Sequence, residues 1–341
     1  MPSARLPTTM NVGAAILEAF YRAGGQFVPL TELECVLKRP TTGVTAEIAE
    51  LQRLGYKIEV HPHLGYRLVA MPDRLIADDI KARLETFHAR SKPRVIGSEI
   101  VVFEQTSSTN DLVARMAKTQ RGEGLVVFAE SQTKGRGRHG RAWASPRGKG
   151  LWFSVLLRPN LPLSSAPRIT VAASIAVARA IRKASKLDGR IKWPNDVTVN
   201  GRKVAGILTE LSAEGDEILS AILGIGIDVN CRREDFPSEV AAIATSVELE
   251  AGRTFNRPAL AAEILRVLDD AYLTAQMDFD SIIAEWARLC TTLGKQVVVT
   301  MGKRRIEGHA QALDADGALL LRRDNGRIER ILGGDLVVEQ T

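Results

Sequence analysis

Cysteine is scarce in this chain of 341 residues: Cys35, Cys231 and Cys290 are far apart and form no CxxC pair. Neither a disulfide framework nor a cysteine-based zinc site is indicated, and a reducing compartment fits. Long apolar runs are also lacking. The most apolar stretch, residues 218–229, is short and interrupted by serine and glycine, and the N-terminal residues have no apolar core of a signal peptide. We therefore expect no membrane span and a cytoplasmic protein.

The bulk composition is that of an ordinary globular protein, with 45% hydrophobic and 25% charged residues. The formal net charge of +6 fits anionic ligands or nucleic acid but does not demand either, and from charge alone a solvated cationic surface is favoured. The length exceeds what one hydrophobic core usually organises, so we expect two or three domains.

Short elements fill the first 70 residues. Apolar residues at helical spacing predict three helices, and alternating residues on both sides of a turn at residues 61–65 predict two strands. The predicted spans are residues 11–24, 30–37, 42–54, 56–60 and 66–69. Three helices followed by a two-stranded ribbon indicate a winged helix-turn-helix domain.

The rest of the chain alternates strands and helices and then changes to strands alone. After a linker with a predicted helix at 78–88, helices are expected after Ser108 and Thr109, which can cap one, from Pro167, and after Asn256. From residue 295 onward, short strands indicate a small β-barrel. The main predicted strands are residues 95–103, 125–129, 151–157, 197–199, 203–211, 218–229, 296–299, 318–321 and 336–338.

The sharpest motif is the segment of residues 134–150, called the glycine–arginine loop below. It holds five glycines, six cations and no acidic residue. Glycine lets backbone amides approach an anion, and arginine offers a planar fork that matches phosphate or carboxylate. Because like charges repel in the empty loop, a bound anion should order it. The six cations are Lys134, Arg136, Arg138, Arg141, Arg147 and Lys149.

Composition alone also allows a plainer interpretation of this loop, as a flexible solvated segment or a generic nucleic-acid patch. Its position between two predicted strands, and the flat ring of Trp143, favour a site for a purine or another bicyclic ring. The loop is not a Walker phosphate loop, because GxxxxGK[ST] is absent. It is not a dinucleotide fingerprint either, because no helix follows.

A second motif, KWPND at residues 192–196, precedes a hairpin with its turn at Asn200 and Gly201. Lys192, Asp196 and Lys203 could converge at one end of the sheet, where a lysine can stabilise charge that develops at phosphorus. Taken alone, the segment is also compatible with an ordinary surface hairpin with solvated charges.

Together these motifs resemble the family of bifunctional biotin ligases and biotin operon repressors. No single segment is specific, but their order and spacing are, and the resemblance covers nearly the whole chain. The matching segments are residues 108–110 (STN), Gln132, 135–143 (GRGRHGRAW), 192–196 (KWPND), 203–208 (KVAGIL) and 224–227 (GIGI).

The resemblance implies an α+β fold with three parts. These are an N-terminal winged helix-turn-helix domain, a central α/β biotin ligase domain with a mixed sheet, and a C-terminal SH3-like β-barrel. The expected boundaries are 1–72 for the first domain, 73–94 for the linker, 95–290 for the catalytic domain and 291–341 for the last.

Site residues follow from the same resemblance, position by position. Lys203 and Arg138 would be catalytic. Biotin would be bound by Ser108, Thr109, Asn110, Gln132, Arg136, Arg138, Lys203 and Gly206. ATP and the adenylate would be bound by Arg138, Arg141, Trp143, Asn195, Asp196 and Gly224, and Asp196 would also hold Mg²⁺ through the phosphates.

The implied reaction joins biotin to a protein. Biotin and Mg-ATP would give biotinyl-5′-AMP, and a lysine of a biotin carboxyl carrier domain, as in acetyl-CoA carboxylase, would then take the biotinyl group. The resemblance further implies a homodimer and a DNA operator. Two alternatives stay open at this point: a lipoate protein ligase, and a ligand-sensing transcription factor without catalysis.

Three features depart from the family pattern. His139 replaces a common arginine, and Asp228 stands where asparagine is usual, which would alter a nucleotide contact. The predicted recognition helix at 42–54 carries Glu47 and Glu50, with Arg53 as its only cation. Acidic side chains that face phosphates oppose DNA binding, so operator binding and a purely regulatory or packing role both remain open.

Overall fold

The structure, a computed structural model, describes residues 13–86, 94–119 and 121–338. Its N-terminal part contains the three helices and the ribbon that the apolar spacing predicts, and the predicted residues 11 and 12 lie outside the described ranges. The elements are α1 (Ala14–Arg22), α2 (Leu30–Leu37), α3 (Thr41–Arg53), β1 (Lys57–His61) and β2 (Gly65–Ala70).

One apolar cluster holds this part together, since Ile16, Leu33, Ile48 and Leu51 are all buried in it. The ribbon is pinned to the chain between α1 and α2. Gly65 has a φ of +93°, and a Cβ atom there would lie 2.1 Å from the carbonyl oxygen of Val28. Only glycine permits both this conformation and this approach, so the predicted turn also fixes where the ribbon docks.

The linker helix α4 (Ala77–Thr86) attaches the N-terminal part to the rest of the chain. It was expected at 78–88, and residues 87 and 88 lie outside the described ranges. On one side its buried Asp79 accepts hydrogen bonds from Tyr21 Oη of α1 and, at 2.8 Å, from Arg83 Nε. The Arg83 guanidinium also lies 4.3 Å from the centre of the Tyr21 ring. This buried polar cluster ties the linker to α1.

The centre of the molecule is a seven-stranded mixed sheet in the order β3-β4-β5-β9-β8-β7-β6. Strands β3 and β4 run parallel, and the other neighbouring pairs are antiparallel. The strands are β3 (Glu99–Phe103), β4 (Leu125–Ala129), β5 (Gly150–Leu157), β6 (Arg190–Lys192), β7 (Asp196–Val199), β8 (Arg202–Glu214) and β9 (Glu217–Asp228).

Helices cover both faces of this sheet. On one face, α5 (Thr109–Ala117) packs over β4 and β5. On the other face, α6 (Pro167–Ser185) packs against α8 (Arg257–Met277) and α9 (Phe279–Leu289). Helix α8 also contacts the linker helix α4. Among the described residues, no helix combines the length and apolar character needed to cross a bilayer.

The structure corrects one predicted strand, confirms one predicted helix cap and adds elements that were not predicted from the sequence. The strand expected from residue 95 begins at Glu99, because the backbone amides of Val95 and Ile96 bind the buried carboxylate of Asp269 instead of pairing with β4. Asn256 does cap α8, with its side chain accepting a 3.0 Å hydrogen bond from the amide of Ala259. Sequence reasoning missed β6, α9 and the short helix α7 (Val247–Ala251).

The C-terminal part is a five-stranded antiparallel sheet in the order β13-β12-β11-β10-β14. Three of its strands were expected, and β11 and β13 were not. Val297, Val299 and Ile306 of this sheet are buried in the same core as the central sheet and α9. The strands are β10 (Gln296–Met301), β11 (Arg304–Leu313), β12 (Leu319–Arg322), β13 (Ile328–Ile331) and β14 (Asp335–Val338).

A buried arginine joins the linker to the central part. Arg257, at the start of α8, is 1% exposed and lies 2.7 Å from Glu130 Oε2 and 3.1 Å from Asp73 Oδ2. Glu130 in turn accepts a 2.7 Å hydrogen bond from the amide of Leu75 in the linker. Because the carbonyl oxygen of Glu130 also accepts from the amide of Gly148, this cluster reaches the base of the glycine–arginine loop.

Candidate active site

Three glycines form a floor on the face of the sheet that carries α5. We call Gly206, Gly224 and Gly226 the glycine row; β8 and β9 pair Gly206 with Gly226. A Cβ atom at Gly224 would lie 2.3 Å from Asn110 Oδ1, and one at Gly226 would lie 2.7 Å from Trp143 Nε1. A Cβ at Gly206 would lie 2.8 Å from the ring of Trp143. Side chains from two distant sequence motifs therefore pack directly against one strip of glycine backbone, where a larger residue would not fit.

A hydrogen-bond network lines one end of this strip. Gln132 Oε1 accepts from the backbone amide of Thr109 at 2.8 Å, and its Nε2 donates to Ser145 Oγ at 2.9 Å. Ser154 Oγ lies 2.7 Å from Thr109 Oγ1 and 2.5 Å from Asn110 Oδ1. The structure thus brings the predicted biotin residues Thr109, Asn110 and Gln132 together, held by two serines that sequence reasoning missed.

The start of α5 differs from the expected cap. Ser108 is buried and occupies the N-cap position, but its side chain makes no capping hydrogen bond. Gln132, from the strand side of the site, satisfies the first-turn amide of Thr109 instead. Because a buried helix amide needs an acceptor, this hydrogen bond keeps the segment of Gln132 in contact with the start of α5.

Arg136 lies in the same network. Its Nε and Nη2 lie 3.0 Å from Glu210 Oε1 and Oε2, and its Nη1 lies 2.8 Å from Asp111 Oδ1. Glu210 Oε2 also accepts a 2.8 Å hydrogen bond from Asn110 Nδ2. Burial lowers the pKa of Arg136, but the hydrogen bonds to the two carboxylates outweigh it and raise the pKa above its ordinary value. Sequence reasoning missed both carboxylates.

Lys203 stands beside the middle of the glycine row. Its Nζ lies 2.6 Å from Asp196 Oδ1 and 5.1 Å from the centre of a Trp143 ring. The Nε1 atom of Trp143 is buried and has no hydrogen-bond partner. A lysine side chain and an aromatic ring, both predicted as site residues, therefore pack together against Gly206.

The tip of the glycine–arginine loop rests on the C-terminal sheet. Arg138 Nη1 donates a 3.2 Å hydrogen bond to the carbonyl oxygen of Gly334, and Arg141 forms an ion pair with Asp335. Arg138 also lies within electrostatic range of Asp196, the carboxylate that Lys203 contacts. The structure thus places Arg138 within electrostatic range of the carboxylate that Lys203 contacts, whereas Arg141 pairs with a carboxylate of the C-terminal sheet.

Further ion pairs neutralise the loop within the protein itself. Arg147 pairs with Glu104, and Lys149 Nζ lies 3.4 Å from Asp235 Oδ2. The mutual repulsion of the loop cations, on which the predicted mobility depends, is therefore partly offset before any anion binds.

Two pockets adjoin the loop. One of about 310 Å³ is lined by Arg138, Asn195 and Thr209, near α6 and the C-terminal sheet. Asn195 Nδ2 is committed to the carbonyl oxygen of Ile207 at 2.8 Å. The larger pocket, about 430 Å³, lies among Lys149, Asp73 of the linker and residues that follow β9 or precede α8, and contains none of the predicted site residues. Size alone therefore does not locate the site; the convergent polar groups do.

Asp228 is the last residue of β9 and follows Gly226 beyond the end of the glycine row. Strand alternation places it on the same face as Gly224 and Gly226, and it is 6% exposed. Its Oδ1 accepts a hydrogen bond from Cys231 Sγ at 3.6 Å. Burial raises the pKa of Asp228 to about 8, against smaller opposing effects of the Cys231 thiol and the Lys203 charge.

The described residues contain no group of three or more histidine, cysteine or acidic side chains that could hold a metal ion. Asp196 offers one carboxylate, which already contacts Lys203. Mg²⁺ commonly binds through one or two carboxylates together with substrate phosphates and water. The donor set therefore fits a magnesium ion that arrives with a nucleotide, and does not fit an all-protein metal cage.

Two family matches, one to the mixed sheet and one to the small antiparallel sheet, define the class of this protein as a ligase of the biotin and lipoate type. Residues 102–228 match the biotin/lipoate A/B protein ligase family, and residues 292–338 match the biotin protein ligase C terminal domain. The biotin protein ligase of Aquifex aeolicus, solved with biotin and ATP, superimposes with a TM-score of 0.61 at 28% identity. The match covers 72% of this chain and all of that one.

Full-length relatives extend the match to the N-terminal part. The bifunctional ligase/repressor BirA of Bacillus subtilis is 35% identical over 94% of this chain and 97% of its own length. BirA of Escherichia coli is 30% identical over 92% of this chain and 94% of its own. The chain belongs to the biotin protein ligase and biotin operon repressor family.

Proposed function

We propose that this enzyme activates biotin with ATP and transfers it to a lysine of a biotin carboxyl carrier domain. The observation that carries the proposal is the convergence of Asn110, Trp143 and Lys203 over the glycine row. An elongated ligand would lie along these three side chains, with its reacting centre beside the lysine.

In the first step, a carboxylate oxygen of biotin attacks the α-phosphorus of ATP, and the bond to pyrophosphate breaks. The network around Gln132, Thr109 and Asn110 would hold the polar head of biotin at one end of the strip. Lys203 would stabilise the charge that develops between the carboxylate and the α-phosphate. Magnesium would neutralise phosphate charge when bound, with Asp196 holding it through the phosphates.

In the second step, the amine of the acceptor lysine attacks the acyl carbon of biotinyl-5′-AMP. The bond to AMP breaks, an amide forms, and the amine releases a proton. Arg138, poised near Asp196, would close over the mixed anhydride and exclude water between the two steps.

The direct test mixes the protein with biotin, Mg-ATP and a purified carrier domain and weighs the carrier. A gain of one biotinyl group is expected, and an unchanged mass would overturn the proposal. Lipoate in place of biotin is the matched arm. Modification by lipoate alone would establish the alternative ligase, which the biotin-specific names of the relatives do not favour.

Replacing Arg138 by glycine should release the adenylate faster, because the guanidinium that bridges the loop to Gly334 is lost. We expect escape of biotinyl-5′-AMP to rise about tenfold, the equivalent of one hydrogen bond to a charged group. Stopped-flow chase of the preformed adenylate measures this rate. Arg147→Gly in the same loop, whose partner Glu104 lies away from the row, is the control. Equal effects of the two changes would contradict a specific lid role for Arg138.

For the other parts of the chain we propose the finer architecture that the resemblance implies. Residues 1–72 would be a winged helix-turn-helix domain, 73–94 a linker, 95–290 the catalytic domain and 291–341 an SH3-like barrel. We also propose a homodimer formed through the central sheet, because β3 is an end strand of that sheet and offers an edge. The other end strand, β6, is paired with the chain at Cys290 and Thr291. Light scattering with and without biotin and ATP tests it, and a monomer under both conditions would exclude it.

Operator binding is a second candidate function, favoured by the exposed side of α3. The two glutamates of α3 form ion pairs within the N-terminal part: Glu47 with Arg39, and Glu50 with Arg53. The residues that α3 exposes include Thr42, Thr45, Ala46 and Ala49. Small neutral side chains of this kind suit contact with base edges in a major groove. The acidic character of the predicted helix therefore opposes DNA binding less than its composition suggests.

An acidic side chain on that side of α3 should weaken operator binding. We expect Ala46→Glu to weaken binding of duplexes selected from a random pool by about tenfold or more, since juxtaposed like charges cost several kcal/mol. Ser212→Glu, on the distant β8–β9 hairpin, is the matched control. If the wild-type protein selects no duplex in the presence of biotin and ATP, the N-terminal part has another role.

A further inference from the structure

The linker helix α4 presents two chemically different faces to its neighbours. Ile80 and Leu84, one helical turn apart, are fully buried in the core of the central sheet. Asp79 and Arg83 have the same spacing on the adjacent face and contact the N-terminal part instead. Apolar packing therefore joins α4 to the central part of the molecule, whereas polar contacts join it to the N-terminal part.

The apolar contact between α4 and the N-terminal part is small. Of the residues of α4 that the structure describes, Ala82 alone is buried in the apolar cluster of the N-terminal part. Ile76, just before the helix, packs against the same cluster and is only partly buried. Because hydrophobic burial is non-directional, this small area does not fix how the N-terminal part is rotated on the helix.

Asp79 and Arg83 provide the directional contacts that the apolar area lacks. Asp79 Oδ1 accepts hydrogen bonds from Tyr21 Oη of α1 and, at 2.8 Å, from Arg83 Nε. The Arg83 guanidinium lies 4.3 Å from the centre of the Tyr21 ring, and its Nη2 lies 2.9 Å from Met71 Sδ. One carboxylate and one guanidinium therefore hold α1 and the chain that follows the ribbon in a single arrangement.

These contacts are not suited to adding much stability. Asp79 is fully buried, yet its Oδ2 has no hydrogen-bond partner among the described residues, and neither does the buried Oη of Tyr56. Burial, and next the Asp79 charge, raise the pKa of Tyr56 and of Tyr21 far above the ordinary value, so both hydroxyls stay protonated. A buried ion pair with an unsatisfied oxygen often stabilises a protein no more than apolar residues of similar volume would.

We propose that Tyr21, Asp79 and Arg83, called the Asp79 cluster, fix the orientation of the N-terminal part on the central part without adding to its stability. The inference does not depend on the ligase reaction and concerns how α3 is presented. In a twofold dimer, the distance between two recognition helices depends on the angle at which each N-terminal part is held. One fixed orientation would give one spacing of the surfaces that α3 exposes.

Distances between two spin labels test the orientation in the full chain. Cys35 on α2 is an exposed native cysteine, and Ser212→Cys adds an exposed site on the β8–β9 hairpin of the central part. Cys290→Ser removes the partly exposed thiol, and dilution with unlabelled protein suppresses distances between protomers. With the cluster intact, we expect double electron–electron resonance to give one narrow distance distribution.

The variant Tyr21→Phe/Asp79→Leu/Arg83→Met replaces the cluster by apolar side chains. We expect it to lose the single narrow distribution, while amide hydrogen exchange in α1 and α3 keeps its wild-type protection, because apolar replacement of a buried ion pair is often neutral. Tyr21→Phe alone removes one hydrogen bond and should broaden the distribution less. Tyr272→Phe is the matched control and should keep the narrow distribution, since Tyr272 Oη donates a comparable 2.5 Å hydrogen bond to Glu123 within the central part.

Two results would overturn the inference. The first is a wild-type distance distribution in the triple variant, or in Tyr21→Phe if the triple variant does not fold. The second is a loss of amide protection in α1 and α3 that accompanies the broadening, because the cluster would then keep the N-terminal part folded and would not merely orient it.

Discussion

Replacement of Lys203 by alanine is expected to slow the formation of biotinyl-5′-AMP by about two to three orders of magnitude. The ammonium group of Lys203 is the cation next to the middle of the glycine row, 2.6 Å from Asp196. Charge that develops between carboxylate and phosphate in a groove shielded from water depends strongly on such a donor, and loss of one preorganised donor typically costs about 10²- to 10³-fold. Single-turnover measurement of pyrophosphate release gives the rate directly.

The alanine variant also leaves Asp196 without its cation, so the two effects must be separated. If Lys203 served only to neutralise that carboxylate, the added change Asp196→Asn would restore the rate. We expect no restoration, because the lysine is needed at the reacting atoms. Lys295→Ala removes an exposed lysine next to the C-terminal sheet and serves as the charge control. A Lys203→Ala rate within twofold of the wild type, or full rescue by Asp196→Asn, would contradict the assigned role.

Elements with a clear period of apolar residues could be predicted from the sequence. Helix α2 and strand β4 were predicted at their observed bounds, because each has short-range signals at both ends. Strand β6 has only three residues, which form a strand because β7 lies alongside. In β11 the buried residues alternate with arginine and glutamate, so the strand resembles a charged loop. Helix α9 could have been predicted, since Phe279, Ile282 and Trp286 are spaced as on one helical face.

The candidate site shows the same division between local and long-range information. The positions of Thr109, Gln132 and Lys203 were predicted from motifs. Their polar partners were not, because Glu210 approaches Arg136 only when β8 is paired with β9 and the loop folds back over 74 residues of sequence. Ser154 lies inside a fully buried strand, where its sequence context gives no sign of a binding role. Motifs thus identify groups that carry chemistry, and the sheet register identifies what orients them.

Replacement of Arg257 by methionine is expected to lower the free energy of unfolding by about 3–5 kcal/mol. The change leaves Glu130, which is 3% exposed, as a buried carboxylate without its cation, and such half-broken pairs are strongly destabilising. Urea denaturation followed by tryptophan fluorescence measures the loss, and Trp152 and Trp286 are both buried in the main sheet and its helices. Arg266→Met, one helical face away on α8 with partly exposed ion pairs, should cost about 1 kcal/mol or less.

The same substitution should affect function as well as stability, because Arg257 contacts the linker and the chain at both ends of the glycine–arginine loop. It pairs with Asp73 of the linker and with Glu130, which precedes the glycine–arginine loop. It also lies 3.4 Å from the carbonyl oxygen of Gly150, the last residue of that loop. Adding Glu130→Gln removes the unpaired charge and should recover part of the stability. It cannot recover the bridge from linker to loop, so the adenylate should still escape faster than from the wild type. Full recovery of both properties would mean that Arg257 only neutralises a buried acid.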